Sequence, residues 1–279
     1  MTVRALHILT PPTEVDYSAE ALDQARTYCD AFARAGLELE PVPWTDPKAG
    51  QAPAVALLAW GYHYDLPGWL TLLDRWPSDV PLFNAAALMR WNTRKTYLAE
   101  LDAAGVPTVP TIFGDADAGT IRQAFADFGT GEVIVKPQVS AGSYRTHRLK
   151  PRDPLPTMAA AMIQPFLPSI AEEGEYSLFY IGGELTHAIV KRATGGDFRI
   201  QPQFGGVNER WTPDAEALAV ADAALVATPA AASYARIDLI RRQDGRLALI
   251  EFEAIEPDLY FHHGEGVLDR LAKAVADSL

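Results

Sequence analysis

Hydrophobic and polar positions divide the first third of this chain into alternating strands and helices. Residues 3–9 read as a strand that ends at Pro11-Pro12. Residues 19–35 read as a helix, because Leu22, Ala25, Cys29, Phe32 and Ala33 recur at helical spacing. Ser18 stands where an N-cap is expected, and Gly36 follows the last turn. Residues 54–59 are continuously apolar, as in a strand buried on both faces. A helix around residues 69–76 and a strand at 81–83 complete a small three-layer α/β unit with a parallel sheet. No G-x-G-x-x-G turn follows the first strand, so a dinucleotide site is not expected there.

Further along, Asn92 is placed to cap a helix that runs to Ala104 and stops at Gly105. Prolines keep residues 106–111 extended. A helix at 120–128 ends at Gly129. A strand at 132–137 carries Lys136 at its end, the small residues 140–143 follow, and residues 144–149 form another strand. Residues 176–181 and 184–190 predict a hairpin around Gly182-Gly183. A helix at 215–227 has Thr212 as N-cap and Pro213 in first position. A second hairpin pairs 234–242 with 246–253 around Asp244-Gly245, and a helix at 265–278 follows.

Charge adds a partition to this pattern. The 279 residues carry a net charge of −12. Residues 1–90 hold −5, residues 91–168 hold +1 and residues 169–279 hold −8. The middle is the least repulsive place for an anionic ligand, and the last third has carboxylates to spare for a cation, unless they are simply a solvated surface. An acidic chain lacks the basic face that nucleic acid requires. The longest apolar stretch, residues 52–60, falls well short of a membrane helix. A strand directly after the N-terminus argues against a signal peptide. The single cysteine, Cys29, excludes an internal disulfide and fits a cytoplasmic setting. Its helical spacing makes it a core residue rather than a nucleophile. The length suits two or three domains.

The second hairpin carries the clearest chemistry. A two-residue Asp244-Gly245 loop sets Asp238 opposite Glu251 and Arg236 opposite Glu253, with both glutamates on one face. Like charges directly opposite destabilise a sheet. One arginine does not neutralise three carboxylates, so a divalent ion is expected, and hard oxygen donors without sulfur favour Mg²⁺. Lys136 at a strand end beside a flexible loop suits phosphate oxygens. Lys191, Arg192 and Arg199 surround Gly195-Gly196-Asp197 and suit a phosphate or a tetrahedral anion, or else they are surface cations. Loops after parallel strands line clefts, which makes residues 61–65, with Tyr62 and His63, a candidate substrate wall. Glu256 and Tyr260 face the same choice between rim and packing. His187 stays open between core and ligand neighbour, and the adjacent His262 and His263 suit surface or rim positions better than a metal.

Taken in order, several stretches resemble the ATP-grasp superfamily, in the branch similar to prokaryotic glutathione synthetase. They are Trp91-Asn92-Thr93-Arg94-Lys95-Thr96-Tyr97-Leu98, Gly105-Val106-Pro107 with Pro110-Thr111, and Val133-Ile134-Val135-Lys136-Pro137. Gln164-Pro165-Phe166 follows, then residues 196–201 with Gly205-Gly206, then Arg236-Ile237-Asp238, then Glu251-Phe252-Glu253 with Pro257. The loop 140–143 holds one glycine where that family often has several, and Glu253 stands where glutathione synthetase has asparagine. The latter feature resembles the branch that contains the cycloserine ring-closing ligase.

The resemblance implies an α/β and α+β ATP-grasp fold. Its parts would be a Rossmann-like N-terminal lobe (1–90), a central lid lobe (91–168) and a C-terminal metal-carrying lobe (169–279). It implies that Lys95 and Lys136 meet ATP phosphates or the adenine edge, with Ser140, Gly142 and Ser143 in the covering loop. Gln164, Pro165, Phe166 and Leu167 would form the hinge that reads adenine. Glu172 or Glu173 would hold the ribose, with Glu175 also on the nucleotide side. Lys191, Arg192 and Arg199 would contact the γ-phosphate and the acyl intermediate. Asp238, Glu251 and Glu253 would hold two Mg²⁺ ions, with Mn²⁺ as the substitute. The implied activity is an ATP-dependent carboxylate–amine ligase that acts on small amino-acid-like or peptide substrates through an acylphosphate, releasing ADP and phosphate. A cyclising ligase of the cycloserine-forming type, a nucleotide-binding module and a phosphotransferase are the alternatives. Dimers and tetramers are common among such relatives, so a homo-oligomer is compatible.

Overall fold

The computed structural model of the chain describes residues 4–193 and 205–279. Three sheets organise it. The first contains β1 (Arg4–Thr10), β2 (Leu37–Pro43), β3 (Ala54–Val55) and β4 (Leu82–Phe83) in the order β2-β1-β3-β4, all parallel. Helix α1 (Ser18–Arg34) links the first two strands, and α2 (Leu66–Arg75) precedes the fourth. The apolar stripe of α1 is rotated by a residue from the expected one. Ala21, Ala25, Tyr28 and Phe32 are buried, whereas Leu22 is exposed. The Tyr28 and Phe32 rings fill more of the core than Leu22 or Cys29 can. Cys29 sits at the core's border, where its thiol donates to the Leu39 carbonyl at 3.1 Å. Burial pushes that thiol up, as expected of a packing residue. Ser18 does not cap the helix; its hydroxyl donates back to the Thr13 carbonyl.

The run 54–59 is apolar for a reason other than strand pairing. Only Ala54–Val55 pairs, and the following residues turn while remaining buried between two cores. The expected helix from Asn92 is split into α3 (Ala86–Asn92) and α4 (Tyr97–Ala103). Asn92 ends α3 instead of capping a helix. Its Nδ2 donates to the Phe252 carbonyl at 2.7 Å, and its Oδ1 accepts from the Ala254 amide at 2.8 Å.

The second sheet runs β5-β8-β6-β7 and is antiparallel. Its strands are β5 (Ile112–Ala116), β6 (Val133–Pro137), β7 (His147–Leu149) and β8 (Met158–Pro165). Helix α5 (Ala118–Phe128) covers it; the Asp117 carboxylate accepts from the Thr120 amide and Gly129 closes the helix at φ 61°. The strand expected at 144–149 begins only at His147, because Ser143 and Arg145 adopt left-handed conformations.

The third sheet, β11-β10-β9-β12-β13, is also antiparallel. Helix α6 (Ser169–Glu172) precedes β9 (Glu175–Ile181), which pairs with β10 (Glu184–Arg192); β11 (Val207–Arg210) lies on the edge. Helix α7 (Ala215–Val226) is capped by Asp214 rather than Thr212, since the Asp214 carboxylate reaches the Ala217 amide at 2.8 Å. β12 (Tyr234–Arg241) and β13 (Leu247–Glu253) form the second hairpin, and α8 (Val267–Asp277) packs back on α1.

The first and third sheets share a core. Leu6, Ile8 and Phe32 pack with Phe179, Ile189, Tyr234 and Leu271. Asn84, fully buried, fastens this junction: its Nδ2 donates to the carbonyls of Tyr234 (2.8 Å) and Ala254 (2.9 Å), and its Oδ1 accepts from the Ser233 amide at 2.5 Å. Asn84→Ala is expected to cost about 3 kcal/mol, because buried backbone groups lose their partners. Denaturant unfolding checks this, and a loss below about 1 kcal/mol would contradict it. No described helix is long and apolar enough to cross a membrane.

Candidate active site

The decisive local geometry is the second hairpin. Arg236 lies opposite Glu253 and Asp238 opposite Glu251, as expected. The route to that register is different. Arg242 closes on Arg246, so the loop holds three residues, with Gly245 left-handed at φ 81°. Leu239 accordingly pairs with Leu249, one residue off the expected register. Ile250 is then an extra residue, a bulge that returns Asp238 to Glu251. The two departures cancel at the carboxylates.

These strands open onto a cleft of about 900 Å³ walled by the second and third sheets and, from the N-terminal part, by the start of α1 and the loop after β3. One end is apolar, walled by Val109, Ile134, Phe166, Leu167, Ile170, Ile240 and Ile250. Pro165 lines this end, and so does Gln164, whose Nε2 donates to the Thr111 hydroxyl at 2.9 Å. The Phe166 amide is committed to the Glu132 carbonyl, whereas the Leu167 amide has no hydrogen bond among the described residues.

The other end is charged. Oxygens of Asp238, Glu251 and Glu253 all lie within 4.8 Å of one another. Arg236 reaches Asp238 at 3.0 Å and Glu253 at 2.5 Å. Lys191 reaches Glu175 at 2.6 Å and Asp238 at 3.2 Å. Lys95 contacts Glu251 directly, and the Ser177 hydroxyl donates to Asp238. Burial works against the charge on Asp238, but Arg236 and Lys191 overcome it and hold the carboxyl at about 2. Glu251 is likewise buried yet held low by Lys95 and Lys136. Glu253 goes the other way. Burial and the neighbouring carboxylates outweigh Arg236 and push it up to about 8. The triad therefore keeps one carboxyl protonated below about pH 8, because its own cations do not offset three ionised groups. Three hard oxygen donors with one carboxyl left uncompensated fit a divalent cation such as Mg²⁺.

Lys136 faces the same space from β6 without an ion pair among the described residues, and burial lowers its pKa. Ser140, Gly142 and Ser143 line the cleft beside it. The other expected positions are sorted by strand geometry. Lys191 and Glu175 enter the cleft, but Arg192, the next residue on β10, pairs with Glu209 and is not among the lining residues. Glu172 is exposed, and Glu173 is taken by Arg241 (2.8 Å) and the Tyr176 hydroxyl (2.9 Å), so neither reaches the cleft. Arg199 lies outside the described residues.

Several open positions are now placed. His63 lines the cleft and Tyr62 packs behind it, against Trp69. His63 and Tyr64 touch Tyr144 of the loop after β6, with ring centroids 5.7 and 5.4 Å apart. Burial, aided by Lys95, lowers His63 to about 4. Gly61 makes this turn at φ 83°, and a Cβ there would meet the Tyr17 hydroxyl at 2.1 Å. His187 stacks flat on Phe179 and bonds the Leu259 carbonyl, which makes it a packing residue. His262 and His263 stand in a short turn outside the cleft. Glu256 and Tyr260 line the cleft, together with Tyr17, Glu20 and Tyr144, which sequence reading had not singled out.

An apolar slot, a lysine without an ion pair among the described residues and three converging carboxyls are an arrangement that could hold a nucleotide together with a metal ion. The chain has the fold of ATP-grasp ligases of known structure. Within that class its likeness is to D-cycloserine synthetase. The family model for the N-terminal domain of D-cycloserine synthetase DcsG matches residues 8–84. The cycloserine biosynthesis protein DcsG of Streptomyces lavendulae is 27% identical over 274 residues, 90% of this chain and 92% of that one. The crystal structure of D-cycloserine synthetase DcsG superposes with a TM-score of 0.80 at 25% identity, covering 98% of this chain and 99% of that one. The ATP-grasp ligase PsnB, solved with a precursor variant, Mg and ADP, gives 0.67 at 15% identity over the full length of both chains.

Proposed function

We propose that this protein is an ATP-dependent ligase that joins a substrate carboxylate to an amine through an acylphosphate, on small amino-acid-like substrates, with release of ADP and phosphate. The observation that supports it is the charge balance of the cleft. Lys136 has no ion pair among the described residues, and the carboxyls of Glu175, Asp238, Glu251 and Glu253 outnumber the three cations paired with them; a metal-bound polyphosphate would satisfy both. Adenine suits the apolar slot between Ile134, Phe166 and Ile250, where the free Leu167 amide is the hinge donor. Lys95 and Lys136 orient phosphate oxygens, and Lys191 meets the developing charge from the β10 side. Asp238, Glu251 and Glu253 would hold Mg²⁺, two ions in this reading, and the metal would supply positive charge to offset that of the phosphoryl group. The division into lobes at residues 90 and 168 would let the loop 140–146 cover the cleft and keep water from the activated acid.

The likeness to cycloserine synthetase favours a second form of the reaction, in which acid and amine belong to one molecule and a ring closes. ADP release measured against amino acids and dipeptides, singly and in pairs with mass detection, separates the forms. Release that needs an acid and an amine together supports ligation. Release with one molecule that loses water supports cyclisation. Release with an acid alone, with no amide product, overturns both in favour of a kinase.

A further inference from the structure

We propose that Arg148 is a positioning residue for the nucleobase: seated on Phe166 and held there by Glu132, it fixes the aromatic wall of the apolar slot and sets the affinity for the base but not for the phosphates. The inference rests on the nucleotide reading of the cleft and adds residues outside the cleft that tune it. Strand register brings Arg148 to this place. Ile134 on β6 pairs with Arg148 on β7 and with Gln164 on β8. Residues directly opposite one another share a face of the sheet, and Ile134 and Gln164 both line the cleft. Arg148 therefore rises from the cleft-facing side, yet it is not among the lining residues. Its side chain lies instead on Phe166, with the guanidinium carbon 3.6 Å from the ring centroid. A guanidinium this close to an aromatic face is a cation–π contact.

Glu132 keeps it there. Its Oε2 accepts from Arg148 Nε at 3.0 Å and from Nη2 at 2.5 Å. Its carbonyl accepts from the Phe166 amide at 2.9 Å. Glu132, Arg148 and Phe166 thus close a circuit of three contacts: backbone to backbone, carboxylate to guanidinium, guanidinium to ring. Burial opposes the charge on Glu132, but Arg148, and after it Lys150, hold the carboxyl below its usual range. A partly exposed ion pair on an edge strand contributes little by itself. This pair has a second task, since the Phe166 that it seats is 7% exposed and lines the slot beside Ile134. An aromatic wall ordered before the ligand arrives spares binding the entropy of ordering it. Lys150 supplies the comparison. It reaches the other oxygen of Glu132 at 3.4 Å and makes no cation–π contact among the described residues.

The test uses the full chain and measures dissociation constants for ADP and for tripolyphosphate, a base-free probe, both with Mg²⁺. Arg148→Met, which keeps an unbranched side chain but not the charge, is expected to weaken ADP about three- to tenfold, the size of ordering one side chain on binding. Tripolyphosphate should bind this variant as it binds the wild type. Glu132→Gln should weaken ADP to a similar extent, and the double variant no further, because the two residues act through one contact. Arg148→Lys should recover part of the loss, since it keeps a cation for Glu132 and the ring but lacks the planar fork. Lys150→Ala should change neither probe. The ligand-free melting temperature of each variant should stay within about 2 °C of the wild type. ADP affinity retained by both Arg148→Met and Glu132→Gln overturns the proposal. So does a loss that strikes tripolyphosphate equally, or a Lys150→Ala variant as weak as Glu132→Gln. Those outcomes leave the ligase reading standing when the wild type binds ADP more tightly than tripolyphosphate. A wild type that binds neither probe and releases no ADP with any substrate pair overturns that reading and the proposal with it.

Discussion

Glu253→Gln will remove Mg²⁺-dependent ADP release, by about 10²–10³-fold or about 3–4 kcal/mol, while the metal-free protein becomes more stable. The two effects have one cause. Burial, with Glu251 and Asp238 nearby, pushes the Glu253 carboxyl up to about 8. An acid whose pKa is raised on folding holds its proton in the folded state while the unfolded chain has lost its own. Stability therefore falls as pH rises from the unfolded value of 4.5 through about 8. Glutamine removes that liability and also removes a metal ligand. The melting temperature of the apo variant should exceed that of the wild type by a few degrees at pH 8, and the excess should vanish below pH 4.5. Mg²⁺ should stabilise the wild type and not the variant. Unchanged Mg²⁺-dependent turnover would remove Glu253 from the metal site.

Asp238→Asn is expected to behave differently, although both residues belong to one triad. Asp238 is 1% exposed and accepts from Arg236, Lys191 and Ser177. Asparagine leaves two buried cations with only the glutamates at their edges. Removing one partner of such a pair costs about 3–5 kcal/mol. For a chain of this size that is a fall in melting temperature of about 10 °C. The wild-type contribution is present above pH 3.8 and is lost as pH falls through about 2, because Arg236 and Lys191 depress the folded pKa despite burial. Asp238→Asn should flatten that acid limb. A variant that melts within about 2 °C of the wild type would show that the cations are satisfied without Asp238.

These two variants mark the limit of what the sequence discloses. The triad was legible because a hairpin converts turn chemistry into register, and like charges on one face call for a cation. That Asp238 bears the fold's buried cations while Glu253 is the carboxyl left protonated was not legible. Those roles depend on Lys191 and Ser177, which arrive from β10 and β9, and on Lys95 from the turn between α3 and α4. Arg192 was avoidable from the sequence: adjacent residues of a strand face opposite sides, so Lys191 and Arg192 cannot both enter one cleft. Helix caps went astray where a stronger acceptor stood nearby, as with Asp214 beside Thr212. The apolar slot was hidden for another reason. Its walls lie at positions 109, 134, 166, 170, 240 and 250, each an ordinary core residue until the second and third sheets bring them together. The 54–59 run shows the converse, since burial between two cores reads like a buried strand.

The bulge at Ile250 acts as a phase shifter for β13. Ordinary alternation would send Ile250 and Glu251 to opposite faces, yet both border the cleft. One extra residue thus sets the spacing between the hydrophobic seat and the metal ligands. Deleting Ile250 would leave the turn unchanged and put the strand beyond it out of step, moving Glu251 and Glu253 off the register of Asp238. Deleting a residue of the turn would move only the strand's outer end, up to the point where the bulge takes up the slack. Length variation in this hairpin therefore has two different meanings: harmless at its tip, disabling five residues further along.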